Sequence, residues 1–199
     1  MSRIIFIAIA AMIFVTMVTV GRIYFTGSHD DGAVTASTAT IGGPFELTDH
    51  TGKTVTDKDY RGKYMVVFFG YTFCPDVCPT NLSTLASALD MLPPEKAKQI
   101  VPLFISVDNE RDTPELLADY VPNFHESIVG LTGTSKQIKD VARAYKSFYA
   151  KVNSEDPENY LMDHSAITYL MGPDGKYIQV FNHGTPPDAI AKQLDKIIQ

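Results

Sequence analysis

Two largely apolar runs, residues 64–69 (YMVVFF) and 101–107 (VPLFISV), leave few options for the fold. A strand with one wet face alternates polar and apolar side chains, whereas a continuous apolar run suits a strand covered on both faces, as in parallel sheets flanked by helices. Each run is followed by a helical pattern. After the first, Leu82, Leu85, Ala86 and Leu89 recur at i, i+3, i+4 and i+7, with Pro79 near the first turn, where a missing N–H costs nothing. After the second, Thr113-Pro114 caps and opens a helix bearing Leu116, Leu117 and Tyr120. A shorter third strand is expected over 128–131. Thr134 with Gln137 forms a capping box for a helix whose apolar face is Ile138, Val141, Ala142 and Tyr145.

Upstream, Phe45-Glu46-Leu47 and Thr54-Val55-Thr56 flank a polar turn at Asp49-His50-Thr51-Gly52, which predicts a short hairpin. Downstream, one more strand is expected over 148–152, and the polar, acidic stretch 153–163 reads as a surface loop. Residues 166–171 and 176–181 flank Gly172-Pro173-Asp174-Gly175, a strong hairpin signal, and Thr185-Pro186-Pro187 starts a last helix with Ile190, Leu194, Ile197 and Ile198 inward. Strand, helix, strand, helix, then hairpin and helix outline an α/β chain of the thioredoxin-like fold with insertions, spanning residues 41–199.

The N-terminus is of another character. Residues 4–20 (IIFIAIAAMIFVTMVTV) carry no charge and lie between Arg3 and Arg22. The run is slightly short for a bilayer core, but Ile23, Tyr24 and Phe25 extend it while Arg22 snorkels, so a single N-terminal transmembrane helix over 1–26 is expected. A cleaved secretory signal is the alternative. It would need a small-x-small site just past the apolar run, and Thr19-Val20-Gly21 fits poorly while Val34-Thr35-Ala36 lies too far on. Either way the N-terminal charge keeps that end in the cytoplasm and sends the rest across the membrane. Residues 27–40, rich in Gly, Ser, Thr, Ala and Asp, read as a flexible tether. Of the 17 basic side chains, Arg3 and Arg22 fall in the first 27 residues, which leaves 15 against 23 acidic ones, or −8, for the remainder. With that charge and no basic run, nucleic acid is excluded as a partner. The expected place is the inner membrane, single-pass, with the soluble domain in the periplasm or an equivalent intermembrane space, where a disulfide can persist.

The chain has only two cysteines, and both lie between the first apolar run and its helix, in Gly70-Tyr71-Thr72-Phe73-Cys74-Pro75-Asp76-Val77-Cys78-Pro79. A helix N-terminus stabilises a thiolate at Cys78 and, if the loop curls back, at Cys74. Buried structural thiols are the plain reading of isolated cysteines, but a Pro-bracketed strand-to-helix loop favours function. A structural disulfide across so small a loop would stabilise little. Thioredoxin-type oxidoreductases use C-x-x-C. The additional residue here widens the pair and makes room for a guest atom between two soft sulfurs, which suits Cu(I), and an imidazole would complete a site also able to hold Cu(II).

Of the five histidines, His29 falls in the tether, His50 in a hairpin turn and His125 at the end of a helix. His164 stands where the acidic stretch meets the terminal hairpin, in Met162-Asp163-His164-Ser165. In thioredoxin-like folds the start of that hairpin lies against the active-site loop and usually carries a cis-proline, and no proline stands there in this chain. His164 is therefore the expected third donor and His183 the reserve. Asp163 is placed to orient an imidazole or to cap the strand, and Met162 and Met171 read as core.

At this point the sequence resembles the Sco/SenC proteins. The resemblance rests on Cys74-Pro75-Asp76-Val77-Cys78-Pro79 after Gly70-Tyr71-Thr72, on Val107-Asp108-Asn109-Glu110-Arg111-Asp112-Thr113-Pro114, on Gly130-Leu131-Thr132-Gly133 and on Asp163-His164. It covers residues 41 to the end and implies copper held by Cys74, Cys78 and His164. The role it implies is assembly of the CuA centre in cytochrome c oxidase subunit II, with copper received from an upstream donor. Asn109 departs from the family, which usually has proline there. A thiol-disulfide oxidoreductase that reduces the cysteines of the recipient site, with Cys74 and Cys78 as its exchanging thiols, remains open, as does a redox-dependent binding module in which copper is a signal. A peroxiredoxin is disfavoured because P-x-x-x-[TS]-x-x-C does not surround either cysteine.

Overall fold

The computed structural model describes Met12, Val15–Met17, residues 40–152, Ser154, Asp156 and residues 159–199. The chain divides into two units, Met1–Ala39 and Thr40–Gln199. The expected anchor over 1–26 and tether over 27–40, with His29, fall outside the described residues apart from helical Met12 and Val15–Met17, and Thr40. Among the described residues no helix is long and apolar enough to cross a membrane.

The second unit is built on strands β1 (Glu46–Asp49), β2 (Thr54–Thr56), β3 (Tyr64–Gly70), β4 (Ile100–Ser106), β5 (Val129–Thr132), β6 (Tyr149–Lys151), β7 (Met162–His164), β8 (Ile167–Met171) and β9 (Tyr177–Asn182). Its helices are α1 (Val77–Asp90), the single turn α2 (Pro94–Ala97), α3 (Pro114–Tyr120), α4 (Ser135–Tyr145) and α5 (Pro187–Ile197). Seven strands form one sheet in the order β2-β1-β5-β4-β3-β8-β9. β3 runs parallel to β4 with Tyr64 opposite Ile100 and Gly70 opposite Ser106, β4 runs parallel to β5, and β8 and β9 close the other side antiparallel. The mixed α/β order is the expected one. The N-terminal hairpin joins the sheet by pairing β1 antiparallel to β5.

The continuous apolar run in β3 has its reason in the two layers of helix. Val67 and Phe69 face one core with Ile138, Val141 and Tyr145 of α4. Val66 faces the other, with Leu85 and Leu89 of α1 and Ile190 and Leu194 of α5, and Phe68 continues that face with Cys78, Leu82 and Leu117. The local signals behave as chemistry requires. The Thr113 hydroxyl accepts from Leu116 N at the start of α3 (3.3 Å), and Thr134 and Gln137 make the reciprocal capping box of α4.

One expectation is corrected. Residues 153–163 are not loop throughout, because Met162–His164 forms strand β7, paired antiparallel with β6 as a separate two-stranded ribbon. Tyr149 lies opposite His164 and Lys151 opposite Met162. Three residues with an aspartate in the middle carry no hydrophobic pattern, and backbone pairing to β6 supplies what side-chain burial does not.

Candidate metal centre

Both cysteines sit at the carboxyl end of β3, the central strand between β4 and β8. Cys78 lies in the first turn of α1, and the preceding loop curls back so that Cys78 N–H points to Cys74 Sγ at 3.4 Å. Cys74 thus supplies the acceptor that the helix start otherwise lacks. Cys78 is wholly buried and Cys74 half-buried, both as free thiols. Gly70 makes this possible, since a Cβ there would stand 2.6 Å from Cys78 Sγ and 2.7 Å from the Phe104 ring.

The imidazole arrives from the ribbon. His164 Nε2 lies 3.4 Å from Cys78 Sγ, and the three donor atoms of Cys74, Cys78 and His164 fall within 4.8 Å of one another. His164 Nδ1 faces the Ser165 carbonyl at 3.3 Å. A proton on Nδ1 would leave the Nε2 lone pair toward the sulfurs, the tautomer a metal ligand needs, whereas a proton on Nε2 lets the ring donate to sulfur in the metal-free chain. Phe68 and Tyr71 meet the imidazole edge to face, at ring separations of 5.9 and 5.8 Å. Asp163 is exposed at the rim of the cleft, and His164 Nδ1 faces the Ser165 carbonyl rather than this carboxylate. Cys74 and His164 open on a shallow cleft of about 390 Å³ bordered by Val152, Leu161 and Asp76, while Cys78 lies buried behind it. A larger cavity of about 660 Å³ lies at the opposite pole, where β4 and β5 begin, and holds none of the three donors.

The two thiols differ in acidity. The Cys78 S–H donated to Cys74 pushes the Cys74 thiol down to about 4; burial opposes this, and the N–H groups of Asp76 and Cys78, with His164, assist. Cys78 is held up by the same pairing and by burial. Alkylation of the reduced, metal-free chain should therefore modify Cys74 with a midpoint at about pH 4 and leave Cys78 untouched. Equal rates at both sulfurs, or a Cys74 midpoint near the ordinary value of about 8.5, would contradict this division of roles.

The other histidines among the described residues are otherwise engaged. His50 Nδ1 accepts from Gly130 N at 3.1 Å, His125 Nδ1 accepts from Ser127 N at 3.1 Å, and His183 pairs with Asn81 Oδ1 at 3.1 Å. Met171 is fully buried in the core and Met162 packs partly buried against it. Sequence reasoning missed the support beneath the loop. Buried Asp112 accepts from Thr72 N (2.9 Å) and the Thr72 hydroxyl (2.5 Å), and its second role is to accept the Ser106 hydroxyl (2.5 Å) at the end of β4. Burial lifts its carboxyl above the usual range, against those hydrogen bonds. The available signal was a charged stretch directly after a buried strand whose end adjoins the cysteine loop.

Residues 33–199 match the family model described as SCO1/SenC. The chain is 43% identical over 155 residues to the human "Protein SCO1 homolog, mitochondrial", covering 77% of this chain and 52% of that protein. It is 46% identical over 142 residues to the "SCO2-like protein RP587" of Rickettsia prowazekii, covering 71% and 69%. The chain thus spans about half the length of the human relative. Among solved structures it resembles Bradyrhizobium japonicum ScoI with copper bound (TM-score 0.73, 43% identity, 80% of this chain and 99% of that one). It likewise resembles Arabidopsis thaliana ScoI with copper bound (TM-score 0.72, 41% identity, 78% and 96%). The match over most of its length, with the fold it shares with these structures, means that the chain belongs to the SCO1/SenC family.

Proposed function

We propose that this chain is a membrane-anchored copper metallochaperone, with copper as its cargo. Cys74 and Cys78 supply two thiolates and His164 the third donor, holding Cu(I) and, with the imidazole, Cu(II). The observation that carries the reading is the convergence of these three donor atoms within 4.8 Å, with Nε2 turned toward sulfur. The likeness to the Arabidopsis thaliana and Bradyrhizobium japonicum ScoI structures with copper bound supports it. Copper comes from an upstream donor and passes by ligand exchange to the CuA site of cytochrome c oxidase subunit II. Residues 1–26 anchor the chain as a single pass in the inner membrane, 27–40 tether it, and 41–199 work in the periplasm or an intermembrane space.

A second reading, a thiol-disulfide oxidoreductase acting on the recipient's cysteines, is favoured by the half-exposed Cys74 thiolate beside a protonated Cys78. Anaerobic titration of the reduced chain should give one tight Cu(I) equivalent, and the loaded chain should pass it to an apo-CuA domain. Oxidase activity lost on deleting the gene and restored by added copper indicates delivery. Restoration by an external thiol reductant instead, with no transfer in vitro, would overturn the metallochaperone reading in favour of the oxidoreductase.

A further inference from the structure

The two halves of the metal site come from distant parts of the chain. The sulfurs share one loop, while His164 is 86 residues from Cys78 and stands on a ribbon that is not part of the main sheet. Something must fix the distance between loop and ribbon. We propose that Arg111 does so as a positioning residue that sets the reach of His164 toward the sulfurs, and so governs the Cu(II) form of the site while leaving Cu(I) largely untouched. The inference rests on the copper reading above.

Arg111 lies just past β4, between an aromatic ring from each half. Its guanidinium carbon is 3.6 Å from the centre of the Tyr160 ring, which precedes β7, and 4.6 Å from that of Phe73, which precedes Cys74. Asp108 locks both partners. It accepts Arg111 Nε at 2.6 Å on one oxygen and the Tyr160 hydroxyl at 2.7 Å on the other. The cation is mostly buried, its side chain 15% exposed, where stacking on aromatic faces and a charge-assisted hydrogen bond are strongest. A second tie runs nearby, with Met162 N–H donating to the Tyr71 hydroxyl at 3.2 Å. That bond holds the ribbon at its start and leaves its distance from Phe73 to the Arg111 stack.

The oxidation states should respond differently. Two thiolates four residues apart hold Cu(I) without help from the ribbon, whereas Cu(II) depends on the imidazole. In the full chain, Arg111→Met keeps the apolar stem and removes the planar cation. It is expected to weaken Cu(II) binding on the order of tenfold and to shift the thiolate-to-Cu(II) absorption, while Cu(I) affinity stays within about twofold. Arg111→Lys, which keeps the charge but not the planar fork, should recover part of the Cu(II) loss. Tyr160→Phe keeps the ring and loses the bond to Asp108, so it should fall between, and it carries the test if Arg111→Met does not fold.

A Cu(II) affinity and spectrum unchanged in both variants would overturn the inference. So would parallel losses of Cu(I) and Cu(II), which would mark a general effect on the fold. In the metal-free chain the His164 ring protons, which sense Tyr71 and Phe68, should change NMR shift in Arg111→Met, and unmoved resonances count against the inference. Because this readout needs no metal, failure of the parent chain to bind copper would sink the copper reading alone.

Discussion

Replacing Cys78 with serine is expected to abolish tight Cu(I) binding while leaving a folded chain. A hydroxyl is a hard, weak donor for Cu(I), and Cys74 alone cannot make the two-thiolate site. The structural cost is small because oxygen fits the space that the sulfur fills beside Gly70 and Phe104. Its main component is the burial of a hydroxyl, about 1–3 kcal/mol. Cys74→Ser should lose the Cu(I) equivalent too, at less structural cost, since that side chain is half-buried. His164→Ala behaves differently. The sulfurs still share one loop, so Cu(I) binding weakens but persists, and the Cu(II) absorption disappears. Anaerobic titration and visible spectroscopy read all three variants. Tight Cu(I) binding by Cys78→Ser, or an intact Cu(II) spectrum in His164→Ala, would remove the residue from the ligand set.

The second large effect is expected away from the donors. Asp112→Ala removes the acceptor of three hydrogen bonds and leaves Thr72 N–H after β3, and the proton of the Ser106 hydroxyl at the end of β4, without that acceptor. Such a loss costs about 3 kcal/mol, equivalent to a fall in Tm of roughly 6–12 °C for a domain of this size. Asp112→Asn keeps an acceptor and should lose less. The sign of its pH dependence follows from the raised carboxyl. Protonated Asp112 is the form the fold favours, so its contribution is fully present below the unfolded pKa of about 3.9 and is lost as pH rises through the folded value. Asp112→Asn should flatten that part of the stability profile, and thermal melts across pH check it. An Asp112→Ala chain that melts with the parent would show that the loop needs no anchor beneath it.

The parts of the fold legible in sequence were those where one pattern and one physical cause coincide. Residues 64–69 are apolar throughout because helices cover both faces of β3, and Thr134 with Gln137 could be read as a helix start because the capping box is local. Cys74 and Cys78 were legible from spacing, and their place before α1 followed from the strand and helix signals alone. His164 needed the fold as well as the residue, since nothing within its own segment distinguishes it from His183. The strand that carries it was missed because its stability comes from pairing with β6 and from Tyr71, information spread over distant positions. Arg111 and Asp112 were visible only as part of a charged stretch. Their partners, Tyr160 and Thr72, lie 49 residues downstream and 40 upstream, beyond any local pattern.

The position of β3 bears on how fast the two sides of the site open. Every residue from Met65 to Gly70 is buried, and the strand is paired along both edges. Its amides exchange with solvent only when the whole domain unfolds. The β6–β7 ribbon has a single pairing partner per strand and carries exposed Lys151 and Asp163, so it opens at a much lower free energy. The proposed donors thus stand on backbone of unequal stability, and for an ion held by Cys74, Cys78 and His164 the time spent with three donors rather than two is expected to follow the ribbon.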